Sequence, residues 1–278
     1  MHPPRSEHAR SLHAFVAVCL LVGGGLGLGG CGPAEAPTAR FLPADTLAPG
    51  PSRDSALAVL SSMRRAAFDS AFAVLGDYAV TRTVRTEQLD SSGAVTALST
   101  AAVRYAPGTG AGRLLRRDST GTFRGGGLFG RAAPTVTPTE RPADLAAQML
   151  PDQPAYVERR TREAYRYALR ADTLRPGPPV YVLEARARSA GPGRDQDLRY
   201  ARLLLDRRSR ELIGLTTVRA HEGLVFREHS RLSMRLRRLP DGRWGPFVTR
   251  VRARLQVPLH APRHIRTVSA FYDYSLRS

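Results

Sequence analysis

The sequence predicts an α+β fold that is mainly β. A strongly curved antiparallel sheet, a half-open barrel, packs on a long N-terminal helix, and a central insertion carries a second, short helix. Three observations lead there. Residues 52–76 place apolar side chains at three- and four-residue steps, the stripe of an amphipathic helix. From Asp77 onward the apolar period falls to two, the signature of strands with one buried and one solvated face. Polar turns such as DSSG (90–93) and PDGR (240–243) separate these segments, which allows simple up-and-down connections.

Residues 1–30 come first in the chain and read as an address. A polar start with Arg5 and Arg10 precedes the apolar run 14–28, and Gly29 and Gly30 stand directly before Cys31. That order is the pattern of an export signal. The apolar run is shorter than the roughly 20 residues a spanning helix needs, and its glycines weaken a helix interior. "LGGC" at 28–31 resembles the bacterial lipobox, in which an aliphatic and two small residues precede an acylated cysteine. The resemblance implies that Cys31 becomes the first residue, is diacylated on sulfur, and is acylated again on its new amino group, with palmitate among the expected chains. One acyl chain binds a membrane marginally, whereas two or more hold stably. Gly32 stands where the sorting pattern keeps Asp for inner-membrane retention. The implied site is therefore the outer membrane, facing the periplasm. Ordinary secretion or an uncleaved signal is the alternative.

Removing the first 30 of 278 residues leaves 248, enough for one large domain with its own core. Cys19 would go with the signal, leaving Cys31 alone and no intramolecular disulfide. Net charge is +18, and every one of the 42 basic residues is arginine. An anionic partner such as lipid headgroups or lipopolysaccharide is one reading. A coding bias toward arginine is the other, and the scatter of arginines along the chain favours it. A lipid-anchored address makes nucleic acid an unsuitable partner.

Residues 31–51 hold five prolines and form a tether. Ala56, Val59, Leu60, Met63, Ala67, Ala71 and Val74 then mark the helix, which Ser52 or Asp54 can cap and Gly76 can end. Strand-like segments follow: a hairpin around DSSG, then stretches beginning near Glu163, Pro179, Leu198, Arg210, Gly223, Pro246 and Arg266. Nine or ten antiparallel strands are expected. Leu232, Met234 and Leu236 alternate with Arg231, Ser233 and Arg235. Phe247, Val251 and Leu255 oppose Arg250, Arg252 and Arg254. The interruption 118–162 contains the "ADLAAQMLP" helix; a loop of this length is uncommon in a compact domain and either has a purpose or is disordered. The domain is thus 52–278, with 118–162 as its insertion.

Lipobox, tether, long helix and strand order together are similar to the periplasmic lipoprotein-carrier and outer-membrane lipoprotein-receptor family (LolA/LolB-like). That family's relatives include sensors of envelope stress. The resemblance covers most of 53–276 and rests on layout. It implies a half-open barrel with helices in its mouth, and an apolar loop tip that helps place acyl chains in a membrane. Leu128 and Phe129, between glycines of the insertion, match such a tip; a loop folded back on the domain is the alternative.

Catalytic machinery is not evident. Without lysine there is no P-loop lysine, Schiff base or Ser–Lys dyad. "GTGAG" (108–112) and "GGGLFG" (125–130) lack the strand-to-helix setting of a phosphate cradle. No G-x-S-x-G elbow occurs. His221 and His229 are eight apart, not four, and share an ion only if the chain reverses at Gly223. Pro258 and Pro262 forbid a helix around His260 and His264. "DQDLR" places Arg199 where a calcium loop needs oxygen. The expectation is a non-enzymatic protein without catalytic residues, cofactor or metal. It would bind an acyl chain or a lipoprotein tail along Tyr181, Leu183, Leu232, Met234, Leu236, Phe247, Val251 and Leu255. A scaffold lipoprotein with a solid core is the rival. It would touch a partner or anionic lipid headgroups through Arg231, Arg235, Arg250, Arg252 and Arg254.

Overall fold

A computed structural model describes residues 41–42, 53–63, 71, 73–108, 112–123, 155–157, 161–173, 178–188, 198–222, 227–257 and 261–276. These lie in a compact unit, Ala36–Ser278. Cys31, the tether's first residues, Leu128, Phe129 and the insertion helix lie outside the described residues.

One helix and ten strands make up the described fold. The helix α1 is Arg53–Ser61, and the strands are β1 Tyr78–Leu89, β2 Val95–Tyr105, β3 Gly112–Thr120, β4 Tyr165–Thr173, β5 Pro179–Ala187, β6 Leu198–Asp206, β7 Leu212–Glu222, β8 Arg227–Arg238, β9 Trp244–Gln256 and β10 Arg263–Leu276. They form one antiparallel sheet in the order β3-β2-β1-β10-β9-β8-β7-β6-β5-β4. The mainly β, open antiparallel sheet agrees with the sequence reading. The expected long helix is described only as α1 and as the turn that ends in a 3-10 segment at Val74–Gly76.

The strand order explains the long interruption. Each consecutive pair forms a hairpin except β3 and β4, which are the two edges of the sheet. β3 and β4 stand nine strand spacings apart, so this one connection joins the two edges of the sheet. The final strand then returns to lie beside the first, pairing from Tyr78↔Leu276 to Leu89↔His264.

Local chemistry sets the hairpins. In the β1–β2 turn the Asp90 carboxylate accepts from the Ser92 amide at 2.9 Å, the Ser92 hydroxyl at 2.6 Å and the Ala94 amide at 2.9 Å. Gly93 supplies the left-handed φ of +90°. At β8–β9 Gly242 does the same, and its amide bonds the Leu239 carbonyl at 2.9 Å.

Register puts Leu169, Leu183, Leu203, Leu215 and Met234 side by side across β4–β8. All five are buried, and α1 packs Ala56 and Leu60 into the same core. We call this the helix face. The row continues as Thr249, Ser269 and Val84 on β9, β10 and β1. The core thus turns from leucine to hydroxyl halfway across the sheet. Thr86 and Thr267 meet there at 3.2 Å. Arg82 is buried, donating to the Tyr105 hydroxyl and the Ser269 hydroxyl at 3.4 Å each. Along β5–β7 the opposite face buries Val182, Leu204 and Val218 as well, so those strands read as nearly continuous apolar runs.

Candidate functional site: an apolar stripe, an end cavity and an arginine face

Where α1 and the leucine row end, β8–β10 leave apolar surface half-covered on the helix face. Leu232 pairs with Val251, Ser230 with Ala253, Ala253 with Ile265, and Leu255 with Arg263. Leu232, Val251, Ala253, Leu255 and Ile265 are each partly exposed. Directly opposed residues of antiparallel strands share a face, so these five form one stripe, and Leu232 packs against the core at its inner end.

The ligand-lining residues read from the sequence divide into three groups. Leu183, Met234 and Leu236 are closed within the core. Tyr181, Leu232, Val251 and Leu255 are half-buried, and Tyr181 lies beneath the guanidiniums of Arg207 and Arg210, 5.4 and 4.5 Å from its ring. Phe247 departs from the expected alternation: it is 44% exposed, under the Arg237 guanidinium at 5.4 Å. The cause is a bulge. Arg235 pairs with Val248 but Leu236 with Pro246, which leaves Phe247 without a partner and changes the phase of the strand.

The outer end of the stripe meets a cavity of about 570 Å³ between the β1–β2 and β9–β10 turns. Gln88, Leu89, Asp90, Arg254, Arg263 and His264 line it. Arg263 is the cross-strand neighbour of Leu255, and Gln88 of Ile265, so the cavity begins where the stripe stops. Asp90 is the one carboxylate among the described residues that line it. The Ser92 hydroxyl, followed by backbone amides of the turn, holds its pKa below the usual carboxylate value. Sequence reasoning considered His264 only as a metal ligand and passed over Arg263. No local signal marks either one, because the cavity joins segments far apart in the chain.

The opposite face of the same strands is cationic. Arg231, Arg235, Arg250, Arg252 and Arg254 all point away from the helix face, as alternation requires. Register adds a feature the sequence did not show: Arg231, Arg252 and Arg266 stand abreast on β8, β9 and β10. Glu87 on β1 ends this row, ion-paired with Arg266 and with Arg85 at 2.7 Å. A second carboxylate, Glu184, receives Arg170 at 3.1 Å and the buried Tyr200 hydroxyl at 2.9 Å. Desolvation, then the neighbouring Glu184 charge, pushes the Tyr200 phenol pKa upward, so it remains a hydrogen-bond donor.

The chain does reverse between His221 and His229, since β7 and β8 form a hairpin, but His221 pairs with Glu228 and Ala220 with His229. The two imidazoles therefore project to opposite faces. Among the described residues no cluster of three or more His, Cys, Asp or Glu could hold a metal, and no helix is long and apolar enough to cross a membrane.

No protein-family model matches the sequence, and no curated protein sequence matches it. Among solved structures, the chain is similar to a domain described as an outer membrane lipoprotein-sorting protein domain from Vibrio parahaemolyticus, with 12% identity, a TM-score of 0.30, and 82% of this chain and 94% of that one covered. It is also similar to a LolA superfamily protein from Nitrosomonas europaea, at 14% identity and a TM-score of 0.25 over 80% of this chain and 94% of that one. A DUF1329 family protein from Desulfovibrio piger matches at 11% identity and a TM-score of 0.25, over 76% and 92%.

Proposed function

We propose that this chain is a non-enzymatic lipoprotein of the bacterial envelope, anchored through Cys31, that binds an apolar ligand such as an acyl chain or a lipoprotein tail. The half-covered stripe Leu232–Val251–Ala253–Leu255–Ile265, continuous with the core and leading to a cavity, carries the reading. Each methylene buried there contributes about 0.8 kcal/mol. A ligand with about ten methylenes, half of them covered, gains about 4 kcal/mol before its ordering cost. On this reading the ligand lies beside the leucine row, since Leu183 and Met234 are closed within the core.

The test uses residues 32–278, expressed without Cys31. Native mass spectrometry and lipid extraction are expected to show a co-purified amphiphile or displaceable binding of a fluorescent fatty acid. Protein free of lipid that also ignores the probe sinks the reading.

A second reading has its own observation. Arg231, Arg252 and Arg266 abreast repel one another, and like charges directly opposed destabilise a sheet. An anionic surface would relieve that repulsion, so this face suits anionic lipid headgroups at the anchoring membrane. Flotation with vesicles containing phosphatidylglycerol should fall markedly in an Arg231→Ser/Arg250→Ser/Arg252→Ser variant and in high salt; equal flotation of both proteins removes the reading.

A further inference from the structure

The cavity at the end of the sheet brings together two arginines that no ion pair among the described residues uses. Arg254 and Arg263 both line it. Among the described residues neither forms an ion pair, and Arg254 Nε is buried without an acceptor. Buried donors in folded proteins nearly always have partners, so one without invites an explanation in terms of a ligand. The one lining carboxylate is already engaged, because Asp90 turns back to hold Ser92 and Ala94 in its own hairpin. Two guanidiniums against one carboxylate leave the lining of this cavity, about 570 Å³, net positive. That volume falls within the roughly 300–1,000 Å³ of ordinary small-ligand sites.

The neighbourhood decides what kind of anion fits. Arg263 stands beside Leu255, and Gln88 beside Ile265, at the outer end of the apolar stripe. Arg263 shares the stripe's face, whereas Arg254 reaches the same cavity from the other face of β9. A free anion would use the arginines and leave the stripe half-covered; a neutral hydrocarbon would use the stripe and leave the arginines without an anion. A molecule with an anionic head and an apolar tail uses both. We propose that the ligand is an anionic amphiphile, a carboxylate or phosphate on an acyl chain, with its head held by Arg254 and Arg263 and its tail laid along Leu255, Ile265, Ala253 and Val251. The guanidinium fork suits either head, since it donates two parallel hydrogen bonds to adjacent oxygens. This inference rests on the apolar-ligand reading and names the ligand's class.

The test titrates the full chain, held in phosphatidylcholine nanodiscs, with octanoate, octyl phosphate, octan-1-ol and inorganic phosphate. Isothermal titration calorimetry is the readout, with empty nanodiscs as blank. Octanoate or octyl phosphate is expected to bind at least about tenfold tighter than octan-1-ol, the size of a charge-assisted hydrogen bond. The preferred of the two names the head. In Arg254→Gln/Arg263→Gln that preference disappears while octan-1-ol binds as before. Leu255→Gln weakens all three octyl ligands alike, which separates tail from head. If the double variant unfolds, Arg263→Gln alone repeats the comparison.

Equal affinity for the charged and neutral octyl compounds overturns the proposal while leaving apolar binding intact. So does a preference that survives in the variants. Inorganic phosphate binding as tightly as octyl phosphate reduces the cavity to a simple anion site and also overturns it. Failure of every octyl compound to bind overturns the apolar-ligand reading itself.

Discussion

Glu87→Gln tests the electrostatic account of the arginine face most directly. Glu87 has a side chain only 4% exposed and accepts from Arg266 and, at 2.7 Å, from Arg85. The arginines themselves are 40% and 58% exposed, so solvent screens part of each attraction. A fully buried charge-assisted bond contributes about 1.5–3 kcal/mol; with both partners partly in water, about 1 kcal/mol apiece is the better figure. Replacing the carboxylate keeps the shape and removes the charge that ends the row of Arg231, Arg252 and Arg266. The expected loss is about 2 kcal/mol, a fall in Tm of roughly 4–8 °C for a domain of this size. The pH dependence has a definite sign. Hydrogen bonding from Arg266 is the main cause that holds the Glu87 pKa below its usual value, with Arg85 assisting and burial opposing. A depressed folded-state pKa stabilises fully above the unfolded value, about 4.3, and that contribution fades as pH falls through the folded value. Urea melts followed through Trp244, the single tryptophan and a buried one, should show the full difference near pH 7 and a much smaller one near pH 3. A difference under about 0.5 kcal/mol at pH 7, or one undiminished near pH 3, refutes the reasoning. The same substitution removes the negative charge from the face, and flotation with anionic vesicles should rise while stability falls.

Leu183→Ala, at a fully buried position in the leucine row, should cost about 3 kcal/mol, whereas Leu255→Gln on the half-covered stripe should change the urea midpoint little and lose most binding of a fluorescent fatty acid. Gly121 has φ +72° and would bring an alanine Cβ to 2.3 Å from the Thr96 carbonyl oxygen; Gly121→Ala should destabilise the β2–β3 pairing by about 2 kcal/mol, read as faster amide exchange confined to β3. Cys31→Ala should move the protein from the membrane to the soluble fraction of cells, and continued membrane retention would show that the lipobox resemblance misleads.

Most of the strands were legible because a strand writes its two faces into the chain every second residue. The stretch 231–236 displays arginine or serine and leucine or methionine in strict turn, and the structure places them on opposite faces. The DSSG and PDGR turns were legible for the same local reason: an acceptor carboxylate and a glycine with positive φ are side-chain properties. β3 was not legible. Gly112–Thr120 is exposed along nearly its whole length, with Leu114 and Leu115 uncovered and no alternation, and it is held by its backbone ladder to β2. A strand without a buried face leaves no pattern to read.

The sequence by itself determined the alternation, the turns, the two-faced character of β8 and β9, and the expectation of export with lipidation at Cys31, which lies outside the described residues. Tertiary structure alone decided that β10 returns beside β1, that the β3–β4 connection spans the sheet, and that Phe247 leaves the apolar row at a bulge. It also decided which apolar residues are core and which are surface. Leu183 and Leu255 look alike in sequence, yet one lies in the leucine row and the other beside Arg263 at a cavity mouth. Burial depends on what a distant part of the chain lays over a residue. The cavity joins residues 88–96 to 254–264, so no local pattern could have announced it.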